Sequence, residues 1–213
     1  MDHLPIDKSK NPASIRLFKS DFLEFFTHIS PAVVTGFWLP IIALFLVYAV
    51  MTSSGGFPAY IPFGIVIGLF LWTFAEYMLH RFVFHHKPTT PRQERIFFLF
   101  HGIHHAQPNC KTRLVMPPVV SIPLSFIFYG ALVLILGMAL QAPHWIAPMF
   151  SGLIAGYLAY DLTHYATHHL PLKGRYGKYL KKYHMLHHFK TPDARYGVSS
   201  PLWDFVFRTA PAD

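Results

Sequence analysis

The residues of this chain best suited to chemistry are four short histidine clusters: HRFVFHH, HGIHH, HYATHH and HMLHH. Residues three or four positions apart share a face of a helix, so each H-x-x-H-H cluster presents three imidazoles to one side and HYATHH presents two. Neutral imidazole is a ligand for iron, zinc, copper and nickel. The clusters therefore predict a metal site. Its candidate ligands are His80, His85, His101, His104, His105, His164, His168, His184, His187 and His188.

The number of candidate ligands indicates two metal ions. A single ion of this kind rarely takes more than five or six protein ligands, and this chain offers more than one ion can use. Acidic residues near the clusters are few, among them Glu76, Glu94 and Asp161, so we expect coordination almost wholly by histidine. Asp161 precedes His164 by three residues and is placed to orient a ligand imidazole through a hydrogen bond.

The other histidines are expected to have structural roles. A single histidine on an apolar face is usually packed or interfacial. Three histidines fall in that class: His3, His28 and His144. His86 and His169 each follow a candidate ligand directly and point off its face. Within the first cluster, His80 and His85 are five residues apart, so we expect the helix that carries them to end or bulge between them.

The composition indicates an integral membrane protein of the all-α class. Of the 213 residues, 53% are hydrophobic and 13% are charged, which is too apolar for an ordinary soluble domain. Residues 33–75 and 114–160 contain no Asp, Glu, Lys or Arg, and each stretch is long enough for two crossings of about 20 residues. Turn-forming residues interrupt these stretches at 52–58 and 141–144. We therefore predict four transmembrane helices, near residues 32–51, 60–80, 118–140 and 144–163.

The basic residues predict the orientation in the membrane. All Lys and Arg residues fall in the N-terminal arm, in residues 81–113 and in residues 173–208, so these three polar segments should share the cytoplasmic side. This placement predicts that the partner of the basic residues, which give a net charge of +8, is the anionic lipid headgroups and not nucleic acid. The single cysteine, Cys110, excludes an internal disulfide and a cysteine-ligated metal site.

A single membrane-embedded domain, residues 1–213, is expected in five parts. Residues 1–31 form an N-terminal arm with an interfacial helix, because apolar residues recur at helical spacing between Ile15 and Ile29. An equally good interpretation packs that helix on the domain itself. Two transmembrane hairpins occupy residues 32–80 and 118–163. The cytoplasmic histidine-rich parts are residues 81–117 and residues 164–213, which form a helical cap that holds the dimetal site.

At these residues the chain resembles the fatty acid hydroxylase superfamily of membrane proteins with a histidine-rich di-iron centre. The general signature, H-x(3–4)-H followed by two H-x-x-H-H motifs, is matched by His80 with His85, by HGIHH and by HMLHH. Three longer stretches resemble the fatty acid 2-hydroxylase branch: HGIHHAQPNCKTRLVMPP, YDLTHYATHH and YHMLHHFKTPDARYGVSSPLWDFVFRT. The similarity runs from Phe18 to Thr209, and the family's ligands fall on the ten histidines given above.

The resemblance implies an O2-dependent monooxygenase that hydroxylates fatty acyl chains at carbon 2, either free or amide-linked as in ceramides and other sphingolipids. Two iron ions would be its cofactors, and zinc can occupy such sites in a purified sample. Tyr160 and Asp161 are candidates for contact with the substrate or with a ligand histidine. Tyr160, Asn109, Lys111 and Arg113 are candidates for contact with a lipid headgroup, and the alternative for each is a solvated-loop or lipid-facing position.

The resemblance also bears on the electron supply. Many eukaryotic members carry an N-terminal cytochrome b5 domain with a His-Pro-Gly-Gly haem loop, and the 213 residues contain no such loop. We therefore expect a short form, similar to bacterial members, that receives electrons from a separate cytochrome b5-like or ferredoxin-like protein. The expected location is the bacterial inner membrane, or the endoplasmic reticulum in a eukaryote.

Three alternatives remain at this point. One is another chemistry of the same superfamily, such as desaturation or the hydroxylation of sterols or carotenoids. Another is a membrane protein that binds metal for storage, sensing or transport, although a transporter places ionisable ligands near the bilayer midplane, where this chain has none. The third is a b-type cytochrome, whose haem ligands usually lie within the spans and not in triplets at their ends.

Overall fold

The computed structural model describes residues 14–53 and 57–211, and all regular elements in these ranges are helical. The helices are α1 (Asp21–Phe25), α2 (Pro31–Met51), α3 (Tyr60–Met78), α4 (Pro91–Phe97), α5 (Ile103–Ala106), α6 (Pro118–Leu132), α7 (Ile146–His169), α8 (Arg175–Phe189) and α9 (Leu202–Val206). Wider π-helical turns follow α3, α4 and α6, at Leu79–Phe84, Phe98–Gly102 and Val133–Ala139. The all-α class is thus confirmed for the described residues. His3 and residues 54–56 of the first predicted turn lie outside them.

Three helices of the described chain are long and apolar enough to cross a membrane: Pro31–Met51, Tyr60–Phe84 and Pro118–Ala139. They coincide with three of the four predicted spans. The fourth was predicted at 144–163, where α7 lies. This helix has 24 residues, but its last three turns carry Asp161, His164 and His168 and lower its apolar character. The count of four spans therefore stays a prediction.

The chain folds as two compact units. One, called here the apolar unit, consists of the described residues within 31–76 and 116–162. The other, called the histidine unit, consists of residues 14–30, 77–115 and 163–211. The expectation that the whole chain is one domain stays a prediction.

Within the apolar unit, α3 and α7 approach each other at backbone distance. A Cβ atom on Gly68 would lie 2.1 Å from the carbonyl oxygen of Met149, and one on Gly152 would lie 2.1 Å from that of Ile65. Only residues without a side chain fit at such a crossing, as in other helix pairs in membranes. One turn further along α7, a Cβ atom on Gly156 would lie 2.6 Å from the Cβ atom of Trp72.

Aromatic side chains complete the core of the apolar unit. The indole N–H of Trp38 on α2 donates to the hydroxyl of Ser121 on α6, at 3.1 Å. The ring of Tyr157 on α7 meets Trp38 and Trp72 edge to face, at centroid distances of 5.8 and 5.3 Å. Such contacts are favourable for aromatic rings beyond the area they bury. They join α2, α3, α6 and α7.

The first described segment of the histidine unit, residues 14–30, packs against residues 107–113. The guanidinium of Arg113 is buried, with 8% of the residue exposed, and it contacts the carboxylate of Glu24 and the carbonyl oxygen of Ile15. The backbone N–H of Ile29 donates to the carbonyl oxygen of Thr112 at 2.8 Å. Arg113 was a candidate for contact with a lipid headgroup, and the structure instead places it in this internal ion pair.

The interfacial helix is shorter than the apolar pattern predicted. Only Asp21–Phe25 is helical, because the carboxylate of Glu24 accepts the backbone N–H groups of Leu17 and Phe18 and holds the preceding residues outside the helix. Phe22 and Phe25 are 72% and 69% exposed, respectively. Large exposed aromatic side chains of this kind favour contact with a membrane surface over packing on the protein.

Candidate metal centre

The histidine unit brings the four clusters together as two groups of five imidazoles. Within each group, the nitrogen atoms available as ligands lie within 4.8 Å of one another. The group called site 1 consists of His80, His85, His101, His105 and His187. The group called site 2 consists of His104, His164, His168, His184 and His188. The ten histidines are those selected by spacing in the sequence, and their binding of metal stays a prediction.

A π-helical turn aligns the first two histidines. In Leu79–Phe84, the backbone N–H of His85 donates to the carbonyl oxygen of His80 at 3.0 Å, a bond between residues five apart. The wider turn places the side chains of His80 and His85 on one side of the helix. It is the bulge that the five-residue spacing predicted as one of two possibilities. A second π-helical turn, Phe98–Gly102, contains His101 and leads directly into α5, which carries His104 and His105.

The imidazoles of each site meet through their Nε2 atoms. The Nε2 distances in site 1 are 3.1 Å from His80 to His101, 3.0 Å from His101 to His105 and 3.1 Å from His85 to His187. In site 2 they are 2.9 Å from His104 to His164, 2.9 Å from His104 to His188, 2.9 Å from His168 to His184 and 3.0 Å from His184 to His188. Seven nitrogen pairs thus share almost the same spacing.

This spacing fits ligands around one ion. Two nitrogens 3.0 Å apart subtend about 90° at an ion that lies about 2.1 Å from each, whereas a tetrahedral site separates them by about 3.4 Å. Right-angle neighbours are typical of five- and six-coordinate metals such as iron, and tetrahedral neighbours of structural zinc. Each group therefore fits one ion of higher coordination number.

Burial keeps these imidazoles neutral. Desolvation and the neighbouring His187 lower the pKa of His85 to about 3. Desolvation likewise lowers the pKa of His187 to about 4, although the carbonyl of Ala194 opposes the change. The pKa is also lowered by burial, with contributions from neighbouring histidines, at His101, His104, His184 and His188. A neutral imidazole is the form that binds metal, so the sites are ready for an ion at neutral pH.

Two site 1 histidines are oriented by backbone carbonyls. Nδ1 of His80 donates to the carbonyl oxygen of Tyr196, and Nδ1 of His187 donates to that of Ala194 at 2.7 Å. A carbonyl oxygen can only accept, so the proton must be on Nδ1 and the Nε2 lone pair is free for a metal. In site 2, by contrast, the buried Nδ1 atoms of three histidines have no hydrogen-bond partner among the described residues. These are His104, His184 and His188.

The histidines excluded from the ligand set have other contacts. His28 bonds to the Thr112 hydroxyl at 2.7 Å, and the ring of His144 packs on Tyr60 with centroids 4.9 Å apart. The other two lie against aromatic rings, His86 on Phe97 at 4.6 Å and His169 on Tyr165 at 4.8 Å. None of the four belongs to either five-histidine group.

The predicted residues on α7 lie in the core of the apolar unit. The carboxylate of Asp161 accepts the backbone N–H of Met116 at 3.1 Å and the Tyr157 hydroxyl at 3.4 Å. Tyr160 is buried beside Trp72, with ring centroids 5.8 Å apart. These contacts give Asp161 a role in fixing the entry to α6. Contact of Asp161 or Tyr160 with substrate or with a ligand stays a prediction.

Sequence reasoning missed Asp204 on α9, which is fully buried. Its carboxylate accepts hydrogen bonds from the backbone N–H groups of Tyr196 and Gly197 and from the hydroxyl of Thr209. Tyr196 is the residue whose carbonyl binds His80, so Asp204 is one residue removed from site 1. The available signal was an acidic residue inside the apolar stretch PLWDFVF, a position where a carboxylate must be paired.

Two buried groups of neutral imidazole in a chain with membrane-length helices fit the class of integral membrane metalloproteins. Residues 65–209 match the fatty acid hydroxylase family, and the chain belongs to that family. The protein is thus a hydroxylase whose histidine groups fit a metal-dependent enzyme, and the family predicted from the histidine motifs is confirmed.

Relatives and one solved structure extend over most of the chain. A dihydroceramide fatty acyl 2-hydroxylase of Arabidopsis thaliana is 38% identical over 209 residues, which cover 98% of this chain and 84% of that protein. The fatty acid 2-hydroxylase of Rattus norvegicus is 36% identical over 215 residues, 92% of this chain and 56% of its own length. The structure of full-length scs7p, with only the hydroxylase domain visible, is similar with a TM-score of 0.81 and 36% identity, covering 90% of this chain and 70% of that one.

Proposed function

We propose that this protein hydroxylates fatty acyl chains at carbon 2, on free acids or on amide-linked acyl groups of the ceramide type, with dioxygen as co-substrate. The observation that carries the proposal is the pairing of ten histidines into two five-nitrogen groups. The chain that forms them is similar to proteins named dihydroceramide fatty acyl 2-hydroxylase and fatty acid 2-hydroxylase.

Iron is the proposed ion of both sites, with the five histidines of each group as its ligands. A pair of iron ions supplies, when bound, the activation of dioxygen needed to attack an unreactive C–H bond. The protein contributes neutral donors, which leave the charge of the ions undiminished, and a buried setting that excludes bulk water. Since zinc outcompetes ferrous iron for such ligands, a preparation that contains zinc remains compatible with this function.

The proposed placement has four spans, with α7 as the fourth, and the histidine-rich segments on the cytoplasmic side. The distribution of charge supports it, because the apolar unit contains no Lys or Arg. Carbon 2 is adjacent to the acyl carbonyl carbon, so the headgroup has to lie at the membrane surface during the reaction. Asp161 and Tyr160 are proposed to contact the substrate or a ligand, because they precede His164 on α7 by three and four residues.

A separate electron donor is part of the proposal. Insertion of one oxygen atom from dioxygen into a C–H bond leaves the second atom to be reduced to water, which consumes two electrons and two protons. Cys110 cannot supply these electrons by forming an internal disulfide, because the sequence has no second cysteine to pair with it. We propose a cytochrome b5-like or ferredoxin-like protein as the donor.

The test is mass spectrometry of total lipids from a host that expresses the protein together with a suitable donor. Wild-type protein should yield acyl chains heavier by one oxygen, with fragmentation placing the hydroxyl on carbon 2. His187→Ala removes a site 1 ligand and should abolish the product. His86→Ala is the matched control, since His86 follows His85 directly but lies outside both groups, and it should retain the product.

Other outcomes would replace the proposal. Acyl chains lighter by two hydrogens would indicate desaturation, and oxygenated sterols or carotenoids would indicate a different substrate class. Lipids that are identical for wild type and His187→Ala, in the presence of iron and donor, would contradict the 2-hydroxylase assignment.

A further inference from the structure

We propose that Tyr77 is a redox-active residue that protects site 1 when an oxidant forms there without an acyl chain to attack. Its phenol gives one electron to the oxidant and one proton to the carboxylate of Asp204. The inference rests on the proposed function, which supplies the oxidant from dioxygen. It assigns chemistry to a buried tyrosine that is not a candidate ligand.

The hydroxyl of Tyr77 begins a directed chain of hydrogen bonds that ends at Asp204. Nη1 of Arg81 donates to the Tyr77 hydroxyl at 2.7 Å, so the phenol oxygen accepts there. The hydroxyl of Thr209 has a single proton, which it donates to Oδ1 of Asp204 at 2.7 Å. Thr209 can therefore only accept in its 3.0 Å contact with Tyr77, and the phenol proton points towards Thr209.

The carboxylate of Asp204 is a suitable final acceptor for this proton. It is buried and accepts the backbone N–H groups of Tyr196 at 2.9 Å and Gly197 at 2.7 Å, contacts that suit the ionised form. Burial raises the pKa of this carboxyl, although the hydrogen bonds from Thr209 and Gly197 oppose the change. The two oxygen–oxygen distances of the chain lie in the range of about 2.6–3.2 Å that proton transfer requires.

The ring of Tyr196 lies between Tyr77 and site 1. Its centroid is 6.0 Å from that of Tyr77, and the two rings meet edge to face. On its other side, the Tyr196 centroid lies 5.8 Å from His80, 5.5 Å from His85 and 5.9 Å from His187. Electrons tunnel readily between aromatic groups in contact, so the Tyr196 ring connects the phenol of Tyr77 to site 1 without itself being oxidised.

The run of aromatic rings continues from Tyr77 to the surface of the histidine unit. Phe207 is stacked on Tyr77 with centroids 5.3 Å apart, and Trp203 is stacked on Phe207 at 6.1 Å. Phe207 is exposed. An electron from the proposed external donor can therefore reach the oxidised Tyr77 along these rings, while Asp204 returns the proton through Thr209.

The oxidation step is balanced in atoms and electrons. The O–H bond of Tyr77 breaks, the side chain becomes a neutral phenoxyl radical, and the oxidant at site 1 gains one electron. The Thr209 hydroxyl takes the phenol proton and passes its own proton to Oδ1 of Asp204, where a new O–H bond forms. Each event removes one oxidising equivalent that would otherwise be spent on the histidines of site 1.

The experiment is electron paramagnetic resonance of the purified full chain, loaded with ferrous iron, mixed with dioxygen in the absence of lipid and frozen at successive times. Wild-type protein should show a tyrosyl radical signal that narrows when the protein is made with ring-deuterated tyrosine. Tyr77→Phe keeps the ring but has no phenol proton to lose, so the signal should disappear. Tyr176→Phe is the matched control and should keep the signal, because the exposed Tyr176 hydroxyl donates to a backbone carbonyl, that of Ser199 at 2.9 Å.

Two exchanges at Thr209 test the route of the proton. Thr209→Val has nearly the same shape but cannot take up the phenol proton, so the radical signal should be lost. Thr209→Ser retains a hydroxyl and should retain the signal. A purely structural contact between Tyr77 and Thr209 would give no radical to distinguish the two variants.

Peptide mass spectrometry gives a second readout, which tests the protective role. After incubation of the iron-loaded protein with dioxygen and reductant but no lipid, the histidine clusters of Tyr77→Phe should contain more histidine heavier by one oxygen than those of wild type. Tyr176→Phe should match wild type. Equal oxidation in wild type and Tyr77→Phe would show that Tyr77 does not protect the site.

Three further results would overturn the inference: no tyrosyl signal in wild type, a signal kept by Tyr77→Phe, or equal signals in Thr209→Val and Thr209→Ser. If Tyr77→Phe does not fold, the two Thr209 variants still decide the matter, since both retain Tyr77. Hydroxylation of lipid by a wild-type protein that never forms the radical would overturn this inference alone. An iron-loaded protein that yields neither radical nor hydroxylated lipid would contradict the proposed function itself.

Discussion

The close crossing of α3 and α7 gives a sharp prediction for Gly152→Ala. The new Cβ atom would lie 2.1 Å from the carbonyl oxygen of Ile65 and 2.8 Å from its carbonyl carbon and its Cα. Ordinary van der Waals contact begins near 3.4 Å. The two helices have to move apart by about 1.3 Å to restore ordinary contact. No rotamer change can relieve the overlap, because all three contacts are with backbone atoms.

The cost of this movement follows from the packing around the crossing. Overpacking a tight interior typically costs about 1–3 kcal/mol, and a radial gap of 0.5–1 Å forfeits about a quarter to a half of each dispersion contact. The contacts of Gly68 with Met149 and of Gly156 with Trp72 lie on the same interface and would loosen together. We therefore expect a loss of about 3 kcal/mol in the free energy of unfolding, equivalent to about 6–12 °C in Tm for a chain of this size.

The assay is thermal unfolding of the protein in a mild detergent, followed by tryptophan fluorescence. Gly130→Ala on α6 is the control, because nothing lies within 4 Å of a Cβ atom at that position. Alanine is the better helix former, so the control should be unchanged or slightly more stable. A difference of about 2 °C in Tm corresponds to about 1 kcal/mol or less for a chain of this size. If the Tm of Gly152→Ala lies within that range of the control, the packing argument is refuted.

Three other predictions follow from the histidine unit. In metal-free protein, His85 and His187 have folded-state pKa values of about 3 and 4, below the ordinary value of 6.5. Between pH 6.5 and pH 4 the unfolded chain binds more protons than the folded protein does. The Tm should therefore fall as the pH is lowered through this range, and a constant Tm would contradict this. Glu24→Gln leaves Arg113 buried without its charge partner and should cost about 3 kcal/mol, whereas Asp21→Asn, in an exposed pair, should leave the Tm unchanged. X-ray absorption of the loaded protein should show five or more light-atom ligands per ion, and four would refute the right-angle geometry.

Much of the site could be predicted from spacing because the spacing is local. Helix periodicity alone predicted that His101, His104 and His105 all lie at the centre, and each of them belongs to one of the two groups. The charge-free stretches predicted three helices that match the structure to within a few residues at most of their ends. In each case the decisive interactions lie within one helix or between a helix and its solvent.

The division of the ligands between the two sites could not be predicted in the same way. His101 and His105 belong to site 1 while His104 belongs to site 2, so one cluster serves both ions. Residues four apart point together and the residue between them points aside, but only the packing of distant segments decides which partners each one meets. Asp204 was missed for the same reason, since its role depends on contacts made by the loop as a whole.

The π-helical turn between His80 and His85 makes residue count, and not residue type, the quantity under constraint there. Removal of one residue from Leu79–Phe84 would restore ordinary α-helical bonding and rotate His85 by about 100° away from its partners. In-frame loss or gain of a single codon in this stretch should therefore abolish the enzyme, while many exchanges of the intervening apolar side chains leave it intact.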